Sequence, residues 1–260
     1  STEQTASLTT SQVASLSSGA VSALSDEQVT ALTSAQLNVM GATQLNAMSS
    51  AQLQAIETAD VAALTTAQVA KLGTAAISNL STAQIVAMGS AQFAALTAAQ
   101  LKALSTAQLV VIDTVDVAAL TTAQIAALSS SAVAALTDTS TGQVAALTSA
   151  QAAALSSAAV SGLSTAQIAR LSSAQFSAMS AVQLNAMSSA QLQAIETADV
   201  AALTTAQVAK LSTDAVSNLS AAQFTALTSR QLNAMGASQL SILSSAQIQA
   251  IDTSDISAIS

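Results

Sequence analysis

At 260 residues the chain has the length of one or two globular domains, yet it contains no Cys, His, Trp, Tyr or Pro and only three Phe. Its 13 acidic and 5 basic residues give a net charge of −8, and the cations Lys71, Lys102, Arg170, Lys210 and Arg230 stand far apart; nucleic-acid binding needs them clustered. Without His or Cys the usual general base and zinc ligands are missing, and Ser, Thr or Gln interrupts every apolar stretch before it reaches the roughly 18 residues of a membrane span.

The chain opens directly into a repeat. From Leu8 every eighth residue is a large aliphatic (Leu16, Leu24, Leu32, Met40, Met48, Ile56) up to Leu136. Three positions earlier sits a second apolar residue, such as Val13, Val61, Phe93 or Ile125, and only Thr5 and Ala152 break that column. The residue before it is Gln in 23 octads, Ala in five and Asp in four. The consensus is [ST]-x-A-Q-[VIL]-x-A-L, and the six Met occupy the Leu column as core. No basic segment followed by an apolar stretch opens the chain, so no signal peptide is expected.

Leu64-Thr65-Thr66-Ala67-Gln68-Val69 shows the unit complete. A Ser or Thr followed three residues later by Gln is a capping box, in which the hydroxyl accepts from the third helical N–H while the Gln returns to the cap N–H. The Leu before the cap and the Val inside the helix form a hydrophobic staple, and Ala favours helix elsewhere. Each octad therefore predicts one very short helix, ended by the next cap. Gly41, Gly73, Gly89 and Gly236 fall at that junction, where Gly is expected both to end one helix and to start the next. Ser105→Ala is expected to cost more stability than Gln108→Ala, because five native octads already carry Ala in the Gln column.

Two alternatives fail on periodicity. In one continuous helix the apolar stripe drifts by about 80° per octad and wraps the whole surface. A β-solenoid needs alternation of period two, whereas these apolar pairs lie three and five residues apart. The expected fold is all-α: a solenoid of very short helices, one per eight-residue repeat. A single octad buries too little to fold alone, so stacked neighbours must stabilise it.

Further along, the Gln column changes at regular intervals. Ala stands at Ala20, Ala76 and Ala132, then at Ala159 and Ala215; Asp stands at Asp60 and Asp116, then at Asp199 and Asp255. Within each block the spacing is 56 residues, or seven octads. Either a 56-residue unit was duplicated, or seven octads return the solenoid to the same face. The Asp octads also carry acidic caps, pairing Glu57 with Asp60, Asp113 with Asp116, Glu196 with Asp199 and Asp252 with Asp255. These eight carboxylates are the candidates for calcium. Two per octad fall short of the six to eight oxygens calcium takes, so charged capping boxes without metal are expected. Lys71 and Lys210, each 14 residues after an acidic cap, are expected on a solvated surface.

Between Leu136 and Leu147 three extra residues shift the phase. The organisation expected is one continuous solenoid: 17 octads over 1–136, an insertion over 137–143, and a second block over 144–260.

The Leu-Thr/Ser-x-x-Gln octads resemble those of large, acidic, low-complexity bacterial proteins of the secreted or cell-surface kind, and the resemblance runs the whole length. It implies an extracellular structural array: a filament, adhesin stalk or surface layer. Leu-Thr-x-x-Gln also occurs in periplasmic stress chaperones related to Spy, there in isolated copies within long helices. Alternatives are a binding module using the solenoid face and, since rows of Thr and Ser could match a lattice, an ice or mineral binder. The paucity of aromatics and Arg counts against the binding module. No catalytic residue, cofactor, small-molecule substrate, nucleic acid or membrane insertion is expected. The partner expected is a second copy, stacked end to end, because Leu8 and Ile259 stand in the core column.

Overall fold

The computed structural model describes residues 1–253 and 255. Among them the chain forms 31 helices of four to six residues and no strand. Helices this short do not persist alone, so each depends on its ends. The Ser/Thr column supplies extended cap residues, with φ from −62° at Glu57 to −103° at Gly89, and each helix begins at the next residue. At Ser81 the box is complete: Gln84 N–H donates to Ser81 Oγ at 3.2 Å, and Ser81 N–H donates to Gln84 Oε1 at 2.8 Å.

The far end tightens by a single i−3 bond, as where Leu64 N–H donates to Val61 O at 3.2 Å. Left-handed glycine caps are absent: no described residue has positive φ. The expectation for Gly41, Gly73, Gly89 and Gly236 therefore needs correction. They start helices and end none; before Gly41 and Gly73 the carbonyls of Met40 and Leu72 accept instead from Gln68 and Gln100 Nε2, at 2.9 Å and 2.7 Å.

The contacts divide the chain into two compact units, Ser1–Gln124 and Ile125–Ser260. In the first, helices three octads apart lie side by side, Ser34–Asn38 on Thr58–Ala63 and Thr58–Ala63 on Thr82–Ala87. The second repeats this, with Ser149–Ala154 on Ser173–Ala178 and Ser173–Ala178 on Thr197–Ala202. Each unit is thus a coil of octads. Away from the looped octad, hydrogen bonds between coils span 25 to 31 residues, which brackets a turn of about 28 residues, or three and a half octads; across it they reach 34. Seven octads then make two turns, so Asp60 and Asp116 return to one face in the first unit.

Both apolar columns line the interior. Val61, Ile85, Phe93 and Leu101 in the first unit, and Ala152, Ile168, Phe176 and Phe224 in the second, are almost completely buried. No described helix is long and apolar enough to cross a membrane.

The phase shift is absorbed inside one octad of the second unit. Gly142 is the residue before this helix, but Thr137, six positions before Gln143, still closes the box: Gln143 N–H donates to Thr137 Oγ1 at 2.8 Å, and Thr137 N–H donates to Gln143 Oε1 at 3.1 Å. The shift expected over 137–143 is confined to the looped residues 138–142. Arg170 Nε holds this loop by donating to Asp138 O at 2.9 Å. Gly142 is required there, because a Cβ would lie 2.7 Å from Thr139 Oγ1 and 2.8 Å from Thr137 O.

Candidate functional site: the ladder between coils

The Gln column is where neighbouring coils are joined. Gln84 accepts from its own cap through Oε1 and turns its Nε2 to the coil before, donating to Leu53 O and Ile56 O at 2.8 Å each. In the second unit Gln183 does the same, accepting from Ser180 N–H at 2.7 Å and donating to Ala152 O at 2.9 Å and Leu155 O at 2.7 Å. One side chain thus caps two helices, the start of its own and the end of another. The carbonyls it reaches lie at a helix C-terminus, where the ordinary intrahelical partners run out; Leu53 O and Ala152 O also accept the i−3 bond of the helix end, from Ile56 and Leu155 N–H at 3.3 Å each. Gln84 and Gln183 are buried, where an amide must have its partners.

Sequence reasoning assigned Gln to its own cap only. A signal was available. A capping box accepts Glu as readily as Gln, yet Glu never occupies this column. A carboxylate offers no donor to the carbonyls of the coil before.

The Asp octads break the ladder. Aspartate is one methylene shorter than Gln, and Asp60, Asp116 and Asp199 are buried without closing a box. Instead Asp60 accepts from the Ser34 hydroxyl, Asp116 from Ser90 at 2.5 Å, Asp199 from Ser173 at 2.6 Å and Asp255 from Ser229, each 26 residues earlier. The caps fare differently from expectation. Glu57 and Glu196 make no side-chain cap bond, and Asp113 accepts from its neighbour Thr114, from the N–H at 2.7 Å and the hydroxyl at 3.5 Å. The charged capping box therefore does not form in these three octads. Asp252 is exposed, and its backbone carbonyl accepts from Asp255 N–H at 2.9 Å.

Burial raises the Asp199 carboxyl above the ordinary aspartate value; the Ser173 hydroxyl opposes this, and Glu196 adds to it. Among the described residues no three acidic side chains gather as a metal site would require. The calcium candidates stay in pairs, one member of each turned to a serine. Lys71 and Lys210 are exposed, and the structure uses their backbone carbonyls, which accept from Asn46 Nδ2 at 3.1 Å and Asn185 Nδ2 at 3.0 Å. A shallow groove in the second unit, about 680 Å³, is bordered by Thr204, Thr228, Ser229 and Arg230. Three of its hydroxyls are already committed, Thr204 to Gln207, Thr228 to Gln231 and Ser229 to Asp255.

The ALTTAQ repeat model matches four stretches, residues 53–90, 109–149, 144–181 and 192–229. No curated protein matches the chain. The matched stretches span more than half of the sequence and lie on the octads that carry the ladder, and on that ground the chain belongs to the ALTTAQ repeat family.

Proposed function

We propose that this chain is a structural repeat array of the bacterial cell exterior, contributing to a filament, adhesin stalk or surface layer by stacking coil on coil, end to end. The ladder carries the reading. A coil edge is a row of amide donors on one side and a row of carbonyl acceptors on the other, so any coil matches the opposite edge of another coil.

In the coil of residues 1–28 Gln12 and Gln28 accept from the caps of their own helices, which leaves their Nε2 groups for the carbonyls of an adjoining coil. Leu8, Leu16 and Leu24 are half-buried there, while Leu32, Met40 and Met48 one turn later are buried. A further coil from a second copy supplies both carbonyls and apolar cover. Such a contact is heterologous and need not close. The other terminal residue of the core column, Ile259, lies outside the described residues. The partner is a second copy, with no nucleic acid, lipid or small molecule involved.

Analytical ultracentrifugation with negative-stain imaging tests this. Concentration-dependent, unbranched oligomers are expected, and Gln12→Glu with Gln28→Glu should abolish them. A strictly monomeric species at high concentration overturns the reading.

A further inference from the structure

Nearly identical octads raise a problem of register. If every octad offered the same rung, each could wind onto the octad before or after its proper neighbour with equal bonding, as featureless strands slip. The departures from consensus remove that degeneracy. In the octad of Ala76 no Gln accepts from the cap, and the acceptor comes from the coil before. Gly73 N–H donates to Asn46 Oδ1 at 2.7 Å, while Asn46 Nδ2 donates to Lys71 O. The second unit repeats this arrangement, with Ser212 N–H donating to Asn185 Oδ1 at 2.8 Å opposite Ala215.

Asn38, one octad before Asn46, supplies the contrast. It faces the octad of Thr65, whose cap N–H already donates to Gln68 at 2.9 Å, and Asn38 is exposed with no hydrogen bond to another coil. The remaining Ala octads, with caps Ser17, Ser129 and Ser156, leave those caps exposed to water.

We infer that the pairings of Asn46 with the Ala76 octad and Asn185 with the Ala215 octad, together with the Asp–Ser pairs, are register keys that set which octad each octad winds onto. The keys together favour one register. Slipped by one octad in either direction, Asn46 meets a cap already taken, that of Thr65 or Ser81, and buried Asp60 faces Asp26 or Ala42 in place of Ser34. Like a buried polar residue that fixes the register of a coiled coil, the key gives up consensus rungs for a single arrangement.

Two measurements on the full chain test the inference. The sequence has no cysteine, so introduced pairs report cleanly. Gln54 Nε2 donates to Asn79 O at 3.1 Å in the native register, and Ala87 is the equivalent of Asn79 one octad on. On mild oxidation Gln54→Cys with Asn79→Cys should cross-link, and Gln54→Cys with Ala87→Cys should not. Removing the keys towards consensus (Asn46→Ala, Asp60→Gln, Ala76→Gln, Asp116→Gln) should raise cross-linking of the second pair about tenfold or more. An unkeyed chain that keeps its melting temperature and cross-links only the first pair overturns the inference. Independently, Asn46→Ala should lower Tm by about 2–4 °C in the native chain and leave it unchanged in an Ala76→Gln background. Equal losses in both backgrounds overturn it as well.

Discussion

Gln108 shows how much one residue of the repeat carries. It accepts from Ser105 N–H at 2.8 Å, and its Nε2 donates to Leu80 O at 2.7 Å and Ser78 O at 3.2 Å in the coil before. Ser105 supplies a single cap hydroxyl at 3.3 Å. The expected order of their alanine variants therefore reverses. Ser105→Ala should cost about 1 kcal/mol, as other helix caps do, and Gln108→Ala about 2–3 kcal/mol, because a cap acceptor and the donor to a buried carbonyl are lost together. Gln108→Glu should cost at least as much as Gln108→Ala at pH 7, since it returns the acceptor and sets a charge against carbonyls. Urea titrations give all three values, and a smaller loss for Gln108→Ala than for Ser105→Ala would reinstate the capping-only reading. Asp199 makes a prediction in pH. Its folded pKa is raised above 3.8, so its contribution to stability is fully present below that value and is lost as pH rises through the folded pKa. Asp199→Asn keeps the shape and cannot ionise; it should raise Tm at pH 7 and leave it unchanged at pH 3. A fall at pH 7 would show that the ionised Asp199–Ser173 pair is favourable.

A helix of five residues is legible from eight because everything that starts it lies inside the octad. The hydroxyl of Thr65, the amide of Gln68 and the staple of Leu64 with Val69 are local, and the sequence spacing names them before any coordinates do. The glycine reading failed for a reason beyond the octad: Gln amides 28 residues on satisfy the helix ends, so no left-handed cap is needed at Gly41 or Gly73. The acidic caps failed similarly, since Asp116 finds Ser90 across the coil and not its own cap. What the octad alone could not show is always a bond to another turn. The seven-octad period did encode the turn: rungs 28 residues apart make seven octads two turns. At the looped octad the local constraint returns. Gly142→Ala should cost about 1–3 kcal/mol, the usual range for forcing atoms into filled space, because Thr137 and Thr139 close around the site. Gly89→Ser should be neutral or stabilise by about 0.3 kcal/mol, since nothing lies within 4 Å of a Cβ there and a hydroxyl completes the cap. Thermal melts of the two variants decide it, and equal losses would mean that Gly89 meets a constraint the free space around it does not show.

Over the whole molecule, charge and ladder would act in opposite directions on the proposed end-to-end stacking. The net charge of −8 and isoelectric point near 4.1 set like-charged copies against each other at neutral pH. Stacking through neutral amides and carbonyls gains nothing from ionic attraction, and the scattered cations offer no complementary patch. Salt should therefore strengthen self-association by screening repulsion: the Debye length falls from about 30 Å at 0.01 M to about 8 Å at 0.15 M ionic strength. Lowering the pH towards 4 should act in the same direction, because net charge vanishes there while burial of Asp199 favours its neutral form. Sedimentation velocity at fixed protein concentration, across a salt series at pH 7 and a pH series at fixed salt, measures both. Calcium serves as the control for specific ion effects: at matched ionic strength it should match sodium in both association and Tm, since the acidic octads keep their carboxylates in pairs. Association that weakens as salt rises would mean that ion pairs drive it. A calcium-specific gain at matched ionic strength would move the acidic octads from keys within the coil to a site between copies.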